Sequence, residues 1–119
     1  MHVAAFSGSG FSEDASTCGA VSFADRAPAA VRDGADLVVV EGGLNDYDQP
    51  AAAITAGFTR LMDELDGLDV VVVGPVSAPS RAGAVPRVDA LLASLCTQRH
   101  VPYVSTSDLA LDYLESVRA

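Results

Sequence analysis

The chain has 119 residues, half of them hydrophobic and 19% charged, which is the length of one small domain and too apolar for a disordered one. Seven arginines and no lysine stand against sixteen Asp and Glu, and this net charge of −9 excludes the clustered positive surface that a nucleic-acid groove requires. The longest apolar runs, Leu37–Val40 and Val70–Val73 among them, are four residues long, far short of the ~20 needed to span a bilayer.

No basic stretch followed by an apolar one opens the chain, so no secretory signal is read and the chain as given is expected to be cytoplasmic. A true amino terminus upstream of Met1 would leave secretion open. Cys18 and Cys96 show no CxxC spacing and no clustered histidine, so no metal site is expected. Two buried or loop thiols are the simpler reading of this pair, and the sequence leaves a disulfide between them open.

Taken in order, Val3 to Phe6 is a short apolar strand that breaks at Ser7-Gly8-Ser9-Gly10. A polar loop follows from Phe11 to Val21. Ser22 or Asp25 can cap a helix with apolar positions Phe23, Ala27, Ala30 and Val31, and Pro28 fits better with Asp25 as the cap, since proline is tolerated in a first turn. Gly34 stops that helix. Asp36 to Val40 is a β-branched run without alternation, the mark of a parallel strand buried on both faces.

The run ends in Glu41-Gly42-Gly43-Leu44-Asn45-Asp46-Tyr47. Asp48 and Pro50 then open a helix whose stripe is Ile54, Phe58, Leu61, Met62 and Leu65, closed by Gly67. Asp69 to Val73 repeats the buried-strand pattern and breaks at Gly74-Pro75. A helix over about Pro86 to Arg99 aligns Val88, Leu91, Leu92, Leu95 and Cys96. Val101 to Ser105 is a last strand, and Ser107 caps a terminal helix to about Val117. Four strands alternating with four helices predict an α/β fold, a three-layer αβα sandwich around a parallel sheet.

Ligands of open parallel sheets bind beyond the carboxyl ends of the strands. At that edge the sequence places Ser7 to Gly10, Glu41 to Tyr47, Gly74 to Ser80 and Ser105 to Asp108. His2 and His100 precede strands and so fall at the opposite edge. Neither can serve as base to Ser7 or Ser9, and Ser7-Gly8-Ser9-Gly10 is neither a GxSxG elbow nor a phosphate loop. A tight turn after a strand is the plainer account of it.

Gly42-Gly43-Leu44-Asn45-Asp46 is more specific. Glycine lets backbone approach a ligand, and an asparagine amide is a neutral donor for a developing oxyanion. The alternative is a cap for the helix beginning near Asp48. Asp46 is expected to brace the loop rather than act as a base. A constellation of Ser9, Asp46 and Tyr47 lacks any group to deprotonate the serine.

Gly43-Leu44-Asn45-Asp46 after a valine strand resembles the third sequence block of the SGNH (GDSL-type) hydrolases, and Gly8 in Ser7-Gly8-Ser9-Gly10-Phe11 resembles their second-block glycine. Val71-Val72-Val73-Gly74-Pro75 resembles the strand and turn that follow. The likeness runs in order across nearly all 119 residues. It implies a flavodoxin-like sandwich and a serine acyl-transfer mechanism on a small-molecule ester, as in esterases, lipases and carbohydrate deacetylases, without cofactor.

By that resemblance Gly8 and Asn45 are oxyanion-hole donors, and Ser9, Gly43 and Asp46 lie around the substrate. The first block, Gly-Asp-Ser, and the fifth, Asp-x-x-His, are absent: Leu111 and Glu115 stand third after Asp108 and Asp112. The chain therefore resembles an incomplete member, missing one central strand, inactive as it stands and expected to be unstable or to self-associate through exposed strand edges. The alternative is a flavodoxin-like binding or regulatory domain without catalysis.

Overall fold

A computed structural model describes residues 3–4 and 8–106. Within them are three α-helices, α1 (Phe23–Ala30), α2 (Ala51–Glu64) and α3 (Val85–Gln98), and three strands, β1 (Val38–Glu41), β2 (Val70–Val73) and β3 (Tyr103–Val104). Single 3-10 turns lie at Glu13–Ala15, Leu44–Asp46 and Pro79–Arg81. Of the first predicted strand, Val3 and Ala4 are described and belong to no strand, while Ala5, Phe6 and Ser7 lie outside the described residues. The predicted terminal helix from Ser107 also lies outside them.

The strands are parallel in the order β1-β2-β3, with Val38 opposite Val70 and Val72 opposite Tyr103. This is a small α/β domain with a three-stranded parallel sheet flanked by helices. Right-handed crossovers between successive neighbours put α2 and α3 on one face of the sheet, and burial agrees. Val72 is fully buried, and Val38, Val40, Val70 and Tyr103 pack against the core formed by the helices. The α2 stripe Ile54, Phe58, Leu61, Met62 and Leu65 is buried throughout, as are Val88, Leu92, Leu95 and Cys96 of α3. Each large side chain so covered contributes roughly 1.5–3 kcal/mol.

The expectation that β1 is buried on both faces is not met among the described residues. Its burial alternates, with Val39 58% exposed, and Val104 on β3 is 43% exposed on that same side. β1 pairs only with β2, and no other described strand borders its outer edge.

Capping also differs from the expectation based on Pro28. Ser22 is the cap of α1: its hydroxyl accepts from the Asp25 N–H while the Asp25 carboxylate accepts from the Ser22 N–H, so both residues serve one capping box. Pro28 then stands at the sixth position of an eight-residue helix, where it removes one intrahelical hydrogen bond. Asp25 also receives Arg60 of α2 at 2.6 Å, and Glu13 pairs with the same guanidinium, which ties α1 and the first 3-10 turn to α2.

Phe11, placed by its sequence in a polar loop, is a core residue with no exposed surface. Its ring meets Phe23 edge-on at 4.8 Å between centroids and lies tilted against Phe58 at 6.2 Å. The backbone there presses onto α2 at Gly57, where a Cβ would stand 1.8 Å from the Phe11 carbonyl oxygen. That anchor fixes the segment 8–12 over the carboxyl ends of the strands.

Candidate functional site

The site is assembled by one buried carboxylate. Asp46 ends the 3-10 turn after β1 and has no exposed surface. Its two oxygens accept the backbone N–H groups of Phe11 at 3.0 Å and Ser12 at 2.9 Å. Burial pushes its carboxyl above the ordinary carboxylate range, opposed by the Ser12 and Phe11 N–H groups, while the Asp48 charge adds to the rise. Gly10 is required beside it, because a Cβ there would come within 2.7 Å of the carboxylate. The bracing role expected of Asp46 is what these contacts describe: both oxygens hold backbone, and neither receives the Ser9 hydroxyl.

Asn45, one residue earlier, faces the same segment. Its Nδ2 donates to the Ser9 carbonyl at 2.9 Å, and its Oδ1 accepts from Arg81 at 2.7 Å. These two partners fix which end of the amide is which. One Nδ2–H is committed to Ser9, and no further partner for the amide occurs among the described residues. Gly8, preceding Ser9, holds φ +86, a left-handed conformation that glycine adopts without strain, and a Cβ there would lie 3.9 Å from the Ser16 hydroxyl.

Gly43 opens the turn with φ +116 and is buried, so that a Cβ would meet Leu92, Val88 and Pro75 at 3.1–3.2 Å. It acts through packing and backbone direction. Ser9 is 6% exposed and presents its carbonyl to Asn45. The five residues singled out from the sequence, Gly8, Ser9, Gly43, Asn45 and Asp46, are thus brought to one loop cluster, with Gly43 beneath it.

Two groups at this edge escaped the sequence reading. Arg81, at the end of the 3-10 turn that follows β2, donates through one nitrogen, Nη1, to the Leu44 carbonyl at 3.2 Å and to Asn45, and its guanidinium carbon lies 4.3 Å over the Tyr47 ring. Its only sequence signal was a place one residue beyond the Gly74 to Ser80 loop. Asp89 of α3 accepts from the Tyr103 hydroxyl and, at 2.8 Å, from the Ser105 hydroxyl. Burial, reinforced by the Asp89 contact, pushes the Tyr103 phenol well above its ordinary value. Thr106 donates to the Gly74 and Pro75 carbonyls, closing the edge between β2 and β3.

His100 is where the strand order required it, before β3 at the amino edge, in a depression shared with Leu37, Met62 and Leu65. It is on the wrong side of the sheet for the loop cluster. Cys96 is buried and Cys18 exposed, both as free thiols, and burial pushes the Cys96 thiol up to about 11. Among the described residues no group of three or more His, Cys, Asp or Glu is placed to hold a metal ion, and no helix is long and apolar enough to cross a membrane.

The fold and this edge define a class: a parallel α/β domain with a polar loop cluster at the carboxyl ends of its strands. No family model matches the chain, and no curated protein matches it.

Proposed function

We propose that this chain carries the oxyanion-binding part of an SGNH (GDSL-type) ester hydrolase of flavodoxin-like fold. The observation that supports this reading best is the oriented amide of Asn45, whose oxygen is held by Arg81 and whose nitrogen keeps a second N–H for a ligand. Gly8 stands in the facing segment, where its backbone N–H is the second donor. In the complete reaction a serine attacks the ester carbonyl, a histidine takes the serine proton, and Gly8 and Asn45 bind the charge that develops on the carbonyl oxygen. Ser9 and Asp46 hold the donor segment in place.

The 119 residues contain neither a Gly-Asp-Ser nor an Asp-x-x-His sequence, so on this reading they do not turn over substrate alone. The outer edge of β1, which no described strand borders, is where a further strand, or a second copy of the chain, would pair. The test is hydrolysis of p-nitrophenyl acetate by the native polypeptide and its Asn45→Ala variant. The expected result is a kcat lower by about 10²–10³, the usual cost of one oxyanion donor. An unchanged kcat in a folded variant overturns the reading.

A second reading, a binding or regulatory domain without catalysis, draws support from the other bond of the same amide. Asn45 and Asp46 together tie the segment 9–12 to the turn after β1, a role that requires no substrate.

A further inference from the structure

We propose that Arg81 makes the loop cluster a recognition site for an anionic group, a carboxylate or a phosphoryl, on a small-molecule ligand. The argument starts from donor counting. A guanidinium has five N–H donors, and in Arg81 both hydrogens of Nη1 are used, on the Leu44 carbonyl and Asn45 Oδ1. The Nε and Nη2 donors have no partner among the described residues. Two of those three hydrogens, Nε–H and one on Nη2, form the edge of the guanidinium that grips a carboxylate or phosphate with two parallel bonds.

The charge environment points the same way. The chain has sixteen carboxylates and seven arginines, and Arg60 and Arg99 are ion-paired, with Glu13 and Asp25 and with Asp63. Arg81 instead meets only neutral acceptors and the face of Tyr47, with no carboxylate within 4.0 Å among the described residues. Among the described residues, then, no carboxylate pairs with its positive charge beside the Asn45 amide. Three contacts hold the side chain in place before any ligand arrives, so little rotamer freedom remains to be lost on binding. The Asn45 amide, held by the same guanidinium at Oδ1, is the nearest neighbouring group whose signal would report a ligand there.

If the site acts on esters, the anionic group belongs to the acyl or alcohol half of the substrate. That assignment rests on the hydrolase reading, whereas anion binding itself does not. The test therefore needs no turnover. The full chain, labelled with ¹⁵N, is titrated with sodium acetate, with inorganic phosphate and with sodium chloride at matched ionic strength, following the Arg81 Nε–H and Asn45 Nδ2–H signals. The expected result is a saturating shift of both signals with acetate or phosphate beyond that with chloride, and in Arg81→Met a binding at least tenfold weaker by the Asn45 Nδ2–H signal. The stronger of the two anions identifies the group recognised.

Shifts no larger than those given by chloride overturn the proposal, as do shifts of equal affinity in Arg81→Met. Should Arg81→Met not fold, Arg81→Lys decides in its place. That variant keeps the charge and loses the fork, so binding weakened threefold or more supports the proposal and unchanged binding overturns it.

Discussion

The guanidinium of Arg81 donates to Oδ1 of Asn45 at 2.7 Å. This contact joins the loop after β2 to the turn after β1, and it settles the orientation of an amide whose other end holds the Ser9 carbonyl. The two Nδ2 protons of Asn45 should therefore give separate, dispersed resonances. In Arg81→Met, Oδ1 loses its cationic donor and the two resonances should move together. Equal dispersion in both proteins would mean that Arg81 does not orient the amide.

Asp46→Asn should destabilise the fold by about 1–3 kcal/mol, read from the urea midpoint. Asparagine keeps one acceptor but turns an NH₂ toward one of the buried N–H groups of Phe11 and Ser12, leaving that donor unsatisfied. A midpoint unchanged from the parent would remove Asp46 from the account of how segment 8–12 is held.

Gly57→Ala sets two effects against each other. Alanine favours the interior of α2 by about 1 kcal/mol in propensity. The new Cβ, however, meets the Phe11 carbonyl oxygen at 1.8 Å, and forced backbone shifts of that kind cost about 1–3 kcal/mol or more. The clash should win, lowering the melting temperature. A rise would mean that the segment at Phe11 does not lie on α2.

Two thiols in different surroundings should react at different rates. Cys18 is exposed, while Cys96 is buried with its thiol pushed up to about 11, which leaves little thiolate at neutral pH. A disulfide-exchange reagent should modify one thiol rapidly in the native chain and the second only on unfolding. Simultaneous modification of both would contradict the core position of Cys96.

Acid should weaken the α1 cap. The Ser22 hydroxyl, and after it Arg60, hold the Asp25 carboxyl below its ordinary 3.8. Its contribution is therefore complete above about 3.8 and is lost as pH falls through the depressed folded value. Asp46 carries the opposite sign: its raised value means that stability is given up as pH climbs from 3.8 through that value. Ser22→Ala should cost about 0.5–2 kcal/mol at neutral pH, and the gap should narrow as pH falls through the depressed folded value of Asp25. A gap independent of pH would detach Asp25 from the cap.

Much of the fold was legible because it is written in periodicity. The helical stripes of α2 and α3 and the valine runs of β1 and β2 each state their own element and direction, and the strand order then sends Asn45 and His100 to opposite edges. The second face of β1 was misread because a continuous valine run reports the capacity to be buried, not what covers it. Phe11 does lie in a loop, as its polar neighbours imply, but its burial is not legible because its contacts, Phe23 and Phe58, are distant in sequence. Arg81 left no trace for the same reason: its partners Leu44, Asn45 and Tyr47 meet it only through the fold.

The hydrolase reading is tested most directly by treating the native polypeptide with a fluorophosphonate probe and weighing the product. The account predicts a single adduct on a serine of a Gly-Asp-Ser sequence, in a polypeptide heavier than the 12.2 kDa of these 119 residues. A native mass of 12.2 kDa with no adduct would contradict it and leave the non-catalytic binding domain.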